Sequence, residues 1–214
     1  FTVTVRDTQL PTITCPADVT VNVSAGLCVA TGVALGTPTT GDNCGPVTVT
    51  NNAPAQFPVG TNLVTWTATD VNGNTATCLQ RVIVRDNLAP AISCPANILV
   101  NAAAGQCSSN VTFIVTATDN CGTVTNIVSV PASGSAFPVG VTTVTNTATD
   151  SSGNRTVCTF TVTVRDTQLP TITCPTDVTV NVNAGLCVAT GVALGSPTTG
   201  DNCGAVTVTN NAPA

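Results

Sequence analysis

The sequence contains no lysine, histidine, glutamate, tyrosine or methionine; its ten acids are all Asp and its five bases are all Arg. Without His, Lys or Glu it lacks the usual general bases near neutral pH and any side-chain amine nucleophile. The chain therefore reads as non-enzymatic, with no catalytic residue and no organic cofactor. Charged residues make up only 7% of it and the net charge is −5. That balance argues against nucleic acid, which calls for a basic patch, and is too sparse in charge for a disordered acidic tail. No apolar run reaches membrane length, so no membrane span is expected in this segment, and no signal peptide is visible. Helix-favouring charged residues are nearly missing while Thr and Val dominate, which favours strands.

Eleven cysteines are present, in a fixed frame: Cys15, Cys28, Cys44, Cys78; then Cys94, Cys107, Cys121, Cys158; then Cys174, Cys187, Cys203. With no CxxC pair and no His the set does not fit zinc. It reads as a disulfide framework in an oxidising, extracellular compartment. The frame follows a repeat. Asp7, Asp86 and Asp166 each close a strand-like run and precede a Pro-containing linker. The expected divisions are 1–7, the final strand of a preceding repeat; 8–86 and 87–166, two complete repeats; and 167–214, a shortened third. Residues 1–55 and 160–214 are near-copies, differing only at Ala17/Thr176, Ser24/Asn183, Thr37/Ser196 and Pro46/Ala205. An array of near-copies suits length, valency or polymerisation better than a single catalytic site.

Within one repeat, Thr12–Cys15 and Val19–Val23 alternate apolar and polar residues, as half-buried strands do. Ser24–Gly26 reads as a turn, Cys28–Leu35 as a strand, Gly36–Gly45 as a loop, Val47–Thr50 as a strand and Asn51–Pro58 as irregular. Leu63–Thr69 and Thr75–Val84 flank Asp70-Val-Asn-Gly-Asn74, a hairpin signal. Val64, Trp66 and Ala68 are expected on one face, Thr65, Thr67 and Thr69 on the other. Asn146 stands where the first repeat has Trp66: the bland reading is a position only partly buried, while a buried Asn would need hydrogen-bond partners. Short strands with frequent turns and no helical period predict an antiparallel β-sandwich. The expected fold is all-β, with tandem sandwiches arranged end to end in an elongated rod.

The order of motifs resembles the hyalin repeat, or HYR domain. It runs Cys15-Pro16, Asp42–Gly45, Phe57–Gly60, Ala68–Asn74 and Cys78, and again Cys94-Pro95, Asp119–Gly122, Phe137–Gly140, Ala148–Asn154 and Cys158. Cys174-Pro175 and Asp201–Gly204 begin a third set. The resemblance implies an immunoglobulin-like sandwich, an extracellular adhesive or matrix-like protein, and no catalytic activity.

Few residues are candidates for chemistry. Asp70-Val-Asn72-Gly-Asn74 has the oxygen spacing that opens a calcium loop but lacks the distal Glu and the length of an EF-hand. A calcium site using Asp42, Asp70, Asn72 or the linker Asp7 stands against a hairpin turn in which Asn72-Gly73 supplies positive φ angles. Asn22, Asn110 and Asn154 begin N-glycosylation sequons. The strand order favours a Cys15–Cys44 disulfide and leaves Cys28–Cys78 by exclusion; a bond from Cys28 to a neighbouring repeat or chain is the alternative. Phe1–Val5 is expected to complete a sandwich supplied by another copy. The reading is an extracellular structural repeat protein forming a filament, fibre or stalk, with copies of itself as partners. The alternative is a multivalent adhesin engaging a receptor or glycan, which aromatic loop tips would favour.

Overall fold

The fold is taken from a computed structural model in which residues 1–211 are described. Residues 212–214 of the expected third repeat lie outside the described residues. In the first repeat the strands are β1 (Thr12–Thr14), β2 (Val19–Asn22), β3 (Val29–Thr31), β4 (Thr39–Gly41), β5 (Thr48–Asn51), β6 (Gln56–Pro58), β7 (Gly60–Thr69) and β8 (Thr75–Arg85). One four-stranded sheet has the order β2-β8-β7-β5, and the pairs β1-β4 and β3-β6 complete the sandwich. The long hairpin is in register with Trp66 opposite Cys78 and Val64 opposite Gln80. One pairing departs from antiparallel order: β2 runs parallel to β8, Val19 beside Val82 and Asn22 beside Arg85.

The second repeat follows the same plan with β9 (Ala91–Ser93), β10 (Ile98–Asn101), β11 (Ser108–Asn110), β12 (Thr116–Thr118), β13 (Val124–Val130), β14 (Ala136–Pro138), β15 (Gly140–Asp150) and β16 (Arg155–Arg165). Its sheet has the order β10-β16-β15-β13, with pairs β9-β12 and β11-β14 beside it. In the third repeat β17 (Thr171–Thr173) pairs with β18 (Thr198–Gly200).

Three local expectations are corrected. The strand expected over Cys28–Leu35 is confined to Val29–Thr31, because Gly32 and Gly36 take φ of 64° and 78°, conformations that interrupt a strand. The expected loop Gly36–Gly45 contains β4, held to β1 in part by Thr12 Oγ1 donating to the Gly41 carbonyl at 2.8 Å. The expected irregular stretch Asn51–Pro58 contains β6, which packs Phe57 opposite Ala30.

By contacts the chain divides into two compact units that do not follow the sequence repeats. One comprises Phe1–Ile92, Ala117–Ile127 and Thr147–Thr156; the other begins at Ser93–Thr116 and continues through Val128–Asn146 and Val157 onward. The core of the first is Val23, Ala30, Phe57, Val64, Trp66, Val82 and Val84. That of the second is Val111, Phe137, Val144, Phe160, Val162 and Val164. Val64, Trp66 and Ala68 point inward as their alternation requires, at 0%, 6% and 0% exposure.

Identical sequence does not give identical structure. Phe160, Val162 and Val164 are buried in β16, whereas the same residues at Phe1, Val3 and Val5 are exposed and form no strand. Val19–Asn22 forms β2 against β8, whereas its copy at residues 178–181 forms no strand and leaves Val178 and Val180 exposed. Each is an apolar strand that alternation alone cannot hold without a sheet to pair with.

The cores exchange an aromatic for an amide. Trp66 donates Nε1 to Gln80 Oε1 at 3.0 Å, and the fully buried Gln80 Nε2 donates to the carbonyls of Ala17 and Leu35 at 2.7 and 2.9 Å. At the equivalent positions the second repeat has Asn146 and Phe160. The expectation that Asn146 is partly buried is corrected: it is 0% exposed, with Nδ2 donating to Cys94 Sγ at 3.2 Å and the Cys158 carbonyl at 3.4 Å. Phe160 supplies the missing aromatic volume and meets Phe113 edge-on, ring centres 4.9 Å apart. Large and small have changed places across the same two strands. Trp66→Asn alone is expected to cost about 3–5 kcal/mol, as for truncation of a buried aromatic. Adding Gln80→Phe should recover a large share of that loss, measured by urea unfolding of both variants. Strictly additive losses would show that the pair is not exchanged as a unit.

Candidate metal centres and the cysteine framework

The hairpin turns place the first acid. Asp70 Oδ1 accepts the N–H groups of Asn72 and Asn74, each at 2.8 Å, and Oδ2 accepts Asn74 Nδ2 at 2.7 Å. Asp150 repeats this with Ser152, Asn154 and Asn154 Nδ2 at 2.8, 2.9 and 2.9 Å. Only the glycine takes positive φ in each turn, 88° at Gly73 and 89° at Gly153. The expectation that Asn72 shares that conformation is corrected: its N–H is turned in to the Asp70 carboxylate.

These turns also hold the linker. Asn72 Nδ2 donates to Asp7 Oδ2 at 3.2 Å, Asn74 Nδ2 to the Asp7 carbonyl at 3.5 Å, and Asn154 Nδ2 to the Asp86 carbonyl at 3.3 Å. The Asp-Asn-Cys-Gly loops bring the third acid. Asp42 Oδ1 accepts Cys44 N–H at 2.9 Å and Asp119 Oδ2 accepts Cys121 N–H at 2.8 Å. Their other oxygens, Asp42 Oδ2 and Asp119 Oδ1, are shut off from solvent without a hydrogen-bond partner, and so is Asp86 Oδ2.

Two equivalent trios result, Asp7, Asp42 and Asp70, and Asp86, Asp119 and Asp150. Within each, one carboxylate oxygen per residue lies within 4.8 Å of the others. An all-oxygen set of three carboxylates is the donor chemistry that calcium takes. Of the residues singled out from sequence, Asp7, Asp42 and Asp70 come together; Asn72 joins through its amide nitrogen, a donor and not a metal ligand. The second trio was not singled out, although superposing the two motif sets gives it directly.

The carboxyls of Asp70 and Asp150 are pulled two ways. Burial pushes them up, but the side-chain and backbone donors of Asn74 or Asn154, with the two intervening N–H groups, outweigh it and hold them below 3.8. Burial also raises the Cys121 thiol, followed by its hydrogen bond to Cys28 and the charge of Asp86, to about 12. Of the sequon residues, Asn22 and Asn110 are exposed on strands, whereas Asn154 is half-buried and engaged as described above.

The Cys15–Cys44 and Cys28–Cys78 pairings are corrected. Cys15 bonds Cys78, and Cys94 bonds Cys158. Cys15 follows β1 in one sheet and Cys78 lies in β8 of the other, so the bond crosses the core, where both side chains pack. Cys44 remains a thiol, its N–H held by Asp42 Oδ1. With the partners separated by 63 in sequence, such a bond contributes about 4 kcal/mol in the chain-entropy model. Cys107 bonds Cys203, joining the second repeat to the third, with Cα atoms 4.9 Å apart.

These features define a tandem series of immunoglobulin-like β-sandwiches, each complete one closed by a disulfide across its core. The chain belongs to the HYR domain family, which matches at residues 6–84 and 85–164. It is 35% identical over 219 residues to a hyalin of Strongylocentrotus purpuratus and 33% identical over 207 residues to one of Lytechinus variegatus. Those alignments cover 97% and 92% of the chain but only 18% and 39% of the two hyalins. It is 34% identical over 161 residues to a Sushi, von Willebrand factor type A, EGF and pentraxin domain-containing protein 1 of Rattus norvegicus, 72% of the chain and 4% of that protein. Among solved structures, a protocadherin gammaB7 EC3-6 cis-dimer aligns with 80% of the chain and 55% of its own, at TM-score 0.41 and 16% identity. The HYR and hyalin family is a non-enzymatic, adhesion-type repeat family.

Because Asp70 and Asp150 titrate lower when folded than when unfolded, they add stability above about pH 4 that is lost as pH falls through their folded values. Thermal unfolding followed from pH 6 to pH 2 should show this loss. The double variant Asp70→Asn, Asp150→Asn should be less stable at pH 6 and lose less on acidification. An unchanged pH slope would remove these carboxylates from the account.

Proposed function

We propose that this chain is part of an extracellular, adhesion-type repeat protein whose role is structural, building a filament, fibre or stalk from copies of one sandwich. The observation that carries this reading is the recurrence of residues 1–55 at 160–214 with four changes, around complete repeats each closed by its own core disulfide. Disulfides across both cores support an oxidising location. The alternative, a multivalent adhesin, has less support. Its best anchor, Trp66, is the chain's only Trp and is buried against Gln80.

Negative-stain imaging of the native secreted material tests the proposal. Filaments or strings of beads, with about 35 Å per repeat if a sandwich strand is about ten residues long, are the expected result. Isolated globules at the concentration found in the native material would overturn it.

A further inference from the structure

The Cys107–Cys203 bond joins the second cysteine of one repeat to the third cysteine of the next. The preceding pair of repeats holds the same two positions as Cys28 and Cys121, here both thiols. Their surroundings match in detail. Asn202 Nδ2 donates to the Gln106 carbonyl at 2.9 Å and to Cys203 Sγ at 2.9 Å. Asn120 Nδ2 donates to the Leu27 carbonyl at 3.0 Å and to Cys121 Sγ at 3.1 Å. Cys203 Sγ lies 3.5 Å from the Gln106 carbonyl and Cys121 Sγ lies 3.7 Å from that of Leu27. In each case the carbonyl belongs to the residue just before the second cysteine. In each case an Asp two residues back fixes the third cysteine, Asp201 Oδ1 accepting Cys203 N–H at 2.7 Å and Asp119 Oδ2 accepting Cys121 N–H at 2.8 Å. The Cys28 and Cys121 thiols are already within hydrogen-bond reach of each other.

We propose that Cys28 and Cys121 form a second inter-repeat disulfide, so that successive repeats are laced covalently by one rule, second cysteine to third. The Asp-Asn-Cys-Gly motif is the device that makes the bond. Its Asp orients the cysteine, and its Asn grips the backbone beside the partner cysteine. The oxidant is a disulfide of a small molecule or of an oxidoreductase. Two thiols lose their protons and are joined, Sγ to Sγ, while the oxidant's disulfide takes up two electrons and two protons and leaves as two thiols. Cys28 is half-buried, and the contacts of Asn120 and Cys121 with the Leu27 carbonyl hold the third cysteine beside it.

The test is peptide mapping of the 214-residue chain secreted through an oxidising compartment. Free thiols are alkylated during denaturation, no reductant is used, and only monomer from a non-reducing gel is analysed. The expected result is one linked peptide pair carrying Cys28 and Cys121, with Cys44, Cys174 and Cys187 alkylated. Alkylation of both Cys28 and Cys121, or a Cys28–Cys44 link, would overturn the proposal. In Cys28→Ser, Cys121 should become alkylated while the Cys15–Cys78 link persists. If that variant is not secreted, the mapping of the unaltered chain still decides.

Discussion

The bond across the core of each sandwich, Cys15–Cys78 and Cys94–Cys158, is the constraint on which the other features rest. A repeat of about 80 residues buries too small a fraction of its surface for a comfortable margin. This chain also spends much of its length on short strands such as β1, β3, β4 and β6. Tying the residue after β1 to β8 holds the two layers together. It also explains what the core tolerates. With the layers tied at that point, the side chains beside the bond can exchange identity, Trp66 with Gln80 in one repeat and Asn146 with Phe160 in the other, the buried amide nitrogen finding acceptors in each case.

A second constraint acts at the entrance of each sandwich. The hairpin turn after β7 or β15 uses one carboxylate to organise its own backbone and an asparagine to hold the linker Asp that precedes the repeat. The Asp-Asn-Cys-Gly loop brings a further carboxylate to the same place. Linker, turn and loop are far apart in sequence, yet each contributes one acid, and oxygens of Asp42, Asp86 and Asp119 are left shut off without a donor. The entrance is thus the one part of the repeat where charge is concentrated in an otherwise charge-poor chain.

Much of the sandwich was legible in the sequence because strand alternation survives in the long hairpin, where Val64, Trp66 and Ala68 carry the inward face. The cysteine frame and the motif order gave the repeat. The short strands were not legible, because β4 and β6 have few apolar residues and exist through the partners they pair with. Parallel pairing of β2 with β8 leaves no local signal. Strand order favours Cys15–Cys44, whereas the deciding fact is that Cys15 and Cys78 face each other from different layers. Asn146 was misread because its compensating residue, Phe160, lies on the neighbouring strand. Asp7, Asp42 and Asp70 were visible as separate acids, but their meeting point depends on three loops closing together.

The bonds Cys94–Cys158 and Cys107–Cys203 interleave along the chain, each beginning before the other ends. Anywhere between Cys94 and Cys203, a single break in the backbone is therefore spanned by at least one of them, and neither half can depart. A nick in an exposed loop leaves a branched molecule of unchanged mass connectivity, and a fragment is lost only when two breaks enclose a stretch without a cross-linked cysteine. For a material made of such chains, damage accumulates as silent scission long before it registers as loss of substance.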